Sequence, residues 1–195
     1  MANHAVYKEE LMSKSIIVLN GSPRANGNTS LLCDAFMEGA HSAGHAVTRF
    51  DVQKMGIHGC LGCMKGGKDA ASPCVQKDAM MDIYPVYREA DIVVLASPMY
   101  YWGISGQLKT VFDRLFAVAE GNPGYENPKK DCALIMAAEG DGADNWKPVL
   151  DYYHALLGFL GWSDRGHVLA GGVLDAGAVA GRPVLKDAFT LGATL

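Results

Sequence analysis

Residues 16–30 read IIVLNGSPRANGNTS, and the fold is decided by how this stretch is parsed. Ile16, Ile17, Val18 and Leu19 form a continuous apolar run, the pattern of a parallel strand covered on both faces. Asn20 to Asn28 then supplies two glycines, a proline, further asparagines, a hydroxyl and an arginine. Thr29 and Ser30 open an amphipathic stretch whose apolar stripe begins with Leu31, Leu32, Ala35 and Phe36. A strand that passes through such a turn into a helix aims free backbone N–H groups and the positive end of the helix dipole at an anion. Ser22, Asn28, Thr29 and Ser30 are the candidate donors, and Arg24 can add a charge-assisted bond. A P-loop is excluded because no Gly-Lys precedes Ser or Thr, and a dinucleotide fingerprint because no G-x-G-x-x-G occurs. The alternative is structural, since the same residues make plain turns and helix N-caps. Placement directly after a buried strand speaks against it.

A second block extends the pattern. Residues 90–114 read ADIVVLASPMYYWGISGQLKTVFDR. The strand-like run Ile92 to Ser97 ends in Pro98, Met99, Tyr100, Tyr101, Trp102 and Gly103, which places three aromatics at a strand end. A flat apolar ring needs such a wall, and Gly103 lets main-chain groups approach its edge; any single aromatic here also suits a core or a subunit interface. Ala138 to Ala143, AEGDGA, forms a third loop in which Glu139 and Gly140 fit either close approach to a ligand or a solvent turn.

Strand-like runs at Ile16–Asn20, Ala46–Val52, Ile92–Ser97, Cys132–Ala138 and Gly166–Gly171 alternate with helical patterns, which indicates a doubly wound α/β sheet. Leu108, Val111, Phe112, Leu115, Phe116 and Ala119 recur at helical spacing and are predicted to be core. Val149, Tyr153, Leu156, Leu157 and Leu160 suggest another such face. Pro85 predicts a kink or a late start within Asp78–Ala90, and Ala170–Gly181 reads as a long loop before a last short helix.

The GSPRxxGNT loop and the block ending K-x-x-x-D-R together resemble the flavodoxin-like NADPH-dependent FMN reductases and the related iron-sulfur flavoproteins, with the likeness running from Lys14 to Leu191. The resemblance implies a flavodoxin-like three-layer α/β sandwich with a five-stranded parallel sheet in the order 2-1-3-4-5. Its ligand crevice opens where strands one and three end. One domain would span residues 14–195, preceded by an arm, or a disordered segment, over 1–13. By the same resemblance FMN is the cofactor, its phosphate held at Ser22, Arg24, Asn28, Thr29 and Ser30. Its ring would lie against Pro98, Met99, Tyr100, Tyr101, Trp102 and Gly103, with Glu139 and Gly140 over the site. NAD(P)H is the implied co-substrate, and a homodimer or homotetramer the implied assembly. No catalytic side chain is named, because hydride transfer to a flavin depends on stacking and orientation. Lys109, Asp113 and Arg114 read as structural, the first two as an i, i+4 pair.

His58, Cys60, Cys63 and Cys74 follow the second strand, where iron-sulfur flavoproteins carry a compact four-cysteine motif for a [4Fe-4S] cluster. Here Gly66 and Gly67 stand where a third closely spaced cysteine is expected, one thiolate short. Three readings remain: free thiols, a cluster with a non-cysteine ligand, or zinc with His58. Free thiols are the expectation, with no metal assigned. Net charge is −4 with scattered basic residues, which excludes a nucleic-acid footprint or a polybasic membrane patch. No apolar run approaches the ~20 residues of a membrane span, and Met1–Ser13 is too polar for a secretory leader, so a cytoplasmic protein is expected. The functional expectation is an FMN-dependent oxidoreductase that takes hydride from NAD(P)H and reduces a small acceptor such as a quinone or free flavin. The rival reading is an iron-sulfur flavoprotein-type electron carrier with a protein donor, which intact cysteine ligation would favour.

Overall fold

The computed structural model describes residues 13–195, so the expected arm lies, apart from Ser13, outside the described residues. Five strands, β1 (Ser15–Asn20), β2 (Ala46–Asp51), β3 (Ile92–Pro98), β4 (Asp131–Ala137) and β5 (Ser163–Ala170), pair in parallel in the order β2-β1-β3-β4-β5. Helices α1 (Asn28–Ser42), α2 (Met80–Glu89), α3 (Gly106–Ala119), α4 (Ala143–Leu160) and α5 (Val184–Ala193) complete a flavodoxin-like three-layer sandwich.

Strand alternation sorts the core. Ile17, Leu19, Val93, Leu95, Leu134 and Met136 face the layer of α2, α3 and α4. Ile16, Val18, Ile92, Val94, Ala133 and Ile135 face α1 and α5. Both faces are covered, which is why these strands read as unbroken apolar runs. The helix after β1 therefore lies on one side of the sheet and the helix after β3 on the other. A crevice is left between the C-terminal ends of those two neighbouring strands.

The α1–α5 contact is close enough to require glycine. A Cβ on Gly39 would overlap the Phe189 carbonyl, and one on Gly192 would overlap the Phe36 carbonyl. Gly39→Val is accordingly expected to lower stability by about 1–3 kcal/mol or more through overpacking. An unchanged urea midpoint would refute that.

Several expectations shift in detail. β5 begins at Ser163, three residues before the expected start, because Gly166 (φ 107°) absorbs an extra residue where the β4–β5 register slips between Cys132 and Leu134. α2 begins at Met80 and runs through Pro85, which lies on the exposed side where water can take the carbonyl left by its missing N–H. The predicted core stripe of α3 is corrected at its outer edge. Phe116 is 38% exposed and stacks on Tyr125, while Arg114 is fully buried. The cause is the 56–79 segment, which packs over α3 and takes the guanidinium in. No helix among the described residues is long and apolar enough to cross a membrane.

Candidate functional site

The turn after β1 is closed on itself before any ligand is considered. Asn20, 1% exposed, donates through Nδ2 to Ser30 Oγ (3.1 Å) and Asp51 Oδ1 (2.9 Å), and its Oδ1 accepts from Ser22 N (3.1 Å). The Arg24 carbonyl accepts from Ser22 Oγ (3.2 Å), Ser30 Oγ (3.2 Å) and Gly27 N (3.1 Å). Gly21 donates its N–H to Ala96 O at 2.8 Å, in line with β3. A Cβ at Gly21 would stand 2.5 Å from Ser105 Oγ and 2.6 Å from Leu108 Cβ, so only glycine fits between β1 and α3.

This scaffold presents an uncapped helix. Gly27 is the N-cap of α1 and offers no side-chain acceptor, the first turn holds no acidic residue, and the first intrahelical bond is Leu31 N to Gly27 O (3.1 Å). The N–H groups of Asn28, Thr29 and Ser30 have no acceptor among the described residues, although all three residues are buried. Unpaired buried donors at a dipole's positive end are a seat for an anion.

The aromatic loop forms the facing wall. Met99 N donates to Ala137 O (2.8 Å), and Tyr100 and Gly103 exchange two bonds of 3.0 Å across a tight turn. Its central residues, Tyr101 (φ 47°) and Trp102 (φ 57°), are both left-handed, which costs roughly 1–2 kcal/mol each. They project outward, Tyr101 98% and Trp102 56% exposed, while Tyr100, 45% exposed, lines the cleft. Ser105 joins the two walls. Its Oγ donates to Gly21 O (2.8 Å) and caps α3 by accepting from Leu108 N (3.2 Å), while its N–H donates to Ser97 Oγ (2.8 Å).

Between them lies a cleft of about 190 Å³. Ser22, Arg24, Asn28, Thr29, Pro98, Met99, Tyr100 and Glu139 line it, together with Pro23, Gly27, Ala137, Ala138, Val173 and Leu174. Ser30 is buried beneath the loop, and Tyr101, Trp102, Gly103 and Gly140 stand at or beyond the rim. Val173 and Leu174 were not foreseen, because they come from the glycine-rich segment after β5. Asn28 brings them in: its Nδ2 donates to Val173 O (3.2 Å) and Asp175 O (2.9 Å), and its Oδ1 accepts from Val179 N (3.1 Å). Arg24 Nη1 donates to Leu174 O (2.9 Å) on the same segment. Asn28 thus holds the third wall with its amide and faces the cleft with its N–H.

Asp141 and Arg182 lie behind that wall, against Gly171 and Gly172. Asp141 Oδ1 accepts from Gly142 N (2.7 Å) and Trp146 Nε1 (3.3 Å); these bonds, and the charge of Arg182, lower its carboxyl below the ordinary range. Arg182 Nη1 donates to Gly171 O (2.7 Å).

A larger apolar cavity of about 480 Å³ lies between α3 and α4 near Trp162, and shares no residue with this cleft. Size favours it, but polar convergence does not. The free donors and the sheet's switch point belong to the smaller cleft.

Residues 15–161 match the family model for NADPH-dependent FMN reductase. The chain belongs to the NADPH-dependent FMN reductase family. Membership makes it an NAD(P)H-dependent oxidoreductase with an FMN cofactor. The chain is 31% identical over 175 residues to an iron-sulfur flavoprotein of Archaeoglobus fulgidus, covering 90% of this chain and 76% of that one. It is 28% identical over 199 residues to an FMN-dependent NADH:quinone oxidoreductase of Yersinia pestis, covering 92% and 96%. Among solved structures, an NAD(P)H:quinone oxidoreductase from Methanothermobacter marburgensis superposes with a TM-score of 0.73 at 19% identity, over 93% of this chain and 96% of that one, a likeness of fold.

The residues of the cleft fit FMN in this FMN reductase. The free N–H groups match a phosphate dianion, and Pro98 to Tyr100 give an apolar wall one loop away.

Proposed function

We propose that the chain takes hydride from NADH or NADPH on FMN and passes the electrons to a small acceptor, a quinone or a free flavin. The observation that carries the cofactor assignment is the trio of N–H groups, unpaired among the described residues, on the buried residues Asn28, Thr29 and Ser30 in the first turn of α1. In this reading those groups bind the phosphate, with the Thr29 hydroxyl beside them, the Ser22 and Ser30 hydroxyls holding the loop in shape through the Arg24 carbonyl, and Arg24 adding charge at the rim. Pro98, Met99 and Tyr100 would form the wall against the ring, Tyr101, Trp102 and Gly103 would stand at its rim, and Glu139, with Gly140 beyond it, would border the cleft. Bound FMN supplies two-electron acceptance from a nicotinamide. The protein positions both partners, excludes water from the inner wall and leaves the outer side open to nicotinamide and then to acceptor, so turnover is ping-pong.

Support for an intracellular, assembled enzyme comes from two further features. None of the five cysteines forms a disulfide, in keeping with a reducing cytoplasm. Tyr101 and Phe159, 98% and 84% exposed, are large aromatic surfaces of the kind a homodimer or homotetramer covers.

Replacing Arg24 and Thr29 together with Ala tests the phosphate seat. The double variant is expected to fold and to bind FMN roughly 10- to 100-fold more weakly, in keeping with one charged and one neutral hydrogen bond. Wild-type flavin content after gel filtration would sink the assignment.

A further inference from the structure

The relative from Archaeoglobus fulgidus is named for an iron-sulfur group, and the 56–79 segment of this chain holds three cysteines. A [4Fe-4S] cluster takes four thiolates. Among the described residues, no three His, Cys, Asp or Glu side chains are placed to hold a metal ion. Cys60, Cys63 and Cys74 together border only a cavity of about 30 Å³, far too little for a cluster, and of the three only Cys60 reaches the apolar cavity of about 480 Å³ between α3 and α4. The two remaining cysteines lie elsewhere. Cys33 is in α1, on the other side of the sheet, and Cys132 is inside the core beneath Tyr153. Burial pushes both thiols up to about 12, in keeping with their place inside the packed core.

The segment is held against α3 at two places. Gly66 N donates to Glu120 Oε2 (3.1 Å), and Gly67 N donates to Pro73 O (2.8 Å) across the loop. Gly67 (φ 74°) lies directly on the end of α3, where a Cβ would overlap the backbone of Glu120 and Gly121. A Cβ on Gly66 would overlap the Glu120 carboxylate that its own N–H donates to. The second hold is Arg114, whose Nη1 donates to His58 O (2.7 Å) and Asp78 Oδ2 (2.7 Å), and whose Nη2 donates to Asp78 Oδ1 (3.1 Å) and Gln76 O (3.4 Å). Both ends of the segment are thereby tied to one helix.

We infer that this chain is a cluster-free member of its family, in which the cysteine-bearing segment is a closed wall locked onto α3 by Gly66, Gly67 and Glu120, with its three thiols free. The two glycines do more than omit a ligand. Gly67 occupies a position where any side chain would meet the backbone at the end of α3 and lift the segment from the helix, and a side chain at Gly66 would displace the Glu120 carboxylate that its N–H holds. Electrons from the flavin then leave only through the open cleft, which suits a small acceptor and removes the internal route a carrier would use.

The flavin-loaded protein, treated anaerobically with ferrous iron, sulfide and a thiol reductant and then desalted, tests this directly. Iron and acid-labile sulfide should stay near zero, against about four irons per chain for a filled cluster. Native alkylation should label Cys60, Cys63 and Cys74, with Cys60 fastest, and leave Cys33 and Cys132 untouched until unfolding. Stoichiometric iron, or protection of the three loop thiols, overturns the inference. Gly67→Ala tests the lock without adding a ligand. Its methyl should raise the alkylation rates of Cys63 and Cys74 towards that of Cys60 and lower the melting temperature; unchanged rates and melting temperature would refute the lock. Flavin content, measured separately after acid release, reports on the cleft and is independent of either result.

Discussion

Asp78→Asn should cost about 3–5 kcal/mol of folding stability, the usual penalty for stripping a buried cation of its partner. Arg114 has a fully buried side chain and Asp78 one that is 6% exposed, paired at 2.7 Å. Asparagine keeps the shape and loses the charge, and Arg114 Nε already lacks a partner among the described residues. The loss should appear as a lower urea midpoint and as faster alkylation of Cys60 and Cys74, because the same carboxylate anchors His58 N (3.0 Å) and Met80 N (3.1 Å) at the two ends of the thiol segment. Replacing both partners with apolar residues of similar volume should recover much of the stability, since the pair's mutual attraction mostly offsets its own desolvation. The pH dependence has a defined sign. Burial raises the Asp78 carboxyl, but hydrogen bonds from Arg114, His58 N and Met80 N, with the charge of Arg114, outweigh it and hold the group at about 2 against an ordinary 3.8. The stability it contributes is present above the ordinary value and is lost as pH falls from near 4 through about 2. Wild-type protein should therefore lose stability over that window more steeply than Asp78→Asn, and parallel curves would contradict the role given to the pair.

Asn28→Asp should strip the protein of flavin more completely than any change at Arg24 or Thr29. Aspartate still accepts from Val179 N, but it presents oxygen to the Val173 and Asp175 carbonyls, where the amide now donates. Two lost donors at about 1–3 kcal/mol each exceed the 0.3–1 kcal/mol that a carboxylate gains at a helix N-terminus. The new charge also stands beside the proposed phosphate seat. FMN affinity should fall by roughly 100-fold or more, a tenfold change corresponding to about 1.4 kcal/mol. Asn28→Ala, which adds no charge, should lie between the wild type and Asn28→Asp. Full flavin retention in the Asn28→Asp protein would separate the 173–179 wall from cofactor binding.

These two residues also mark the limit of what could be read from the chain. The strands, their order and the two loops at the switch point were legible because each rests on local chemistry: apolar runs for strands buried on both faces, glycine and asparagine for a turn, an aromatic triplet at a strand end. Asn28 was legible as a polar residue at a helix start but not as the clasp for Val173 and Val179, since a partner 145 residues away leaves no local signal. Arg114 sat inside an apparent apolar stripe, and its burial followed only once the 56–79 segment was seen lying over α3. Val173 and Leu174 were invisible for the opposite reason. Their segment reads as an ordinary glycine-rich loop, and nothing nearby in sequence says which wall it closes. The thiol segment was the reverse case, where a missing cysteine was plain in the sequence but its steric cause, the backbone of Glu120, was not.

Ser105 has a consequence for how the enzyme meets its cofactor. One buried hydroxyl couples the β1 turn to the first turn of α3, and the Ser105 N–H couples α3 to the end of β3. The two inner walls of the cleft are therefore joined through one buried residue, a link made before any ligand arrives. FMN uptake should need no closure step, and its kinetics should be a single concentration-dependent phase set by encounter.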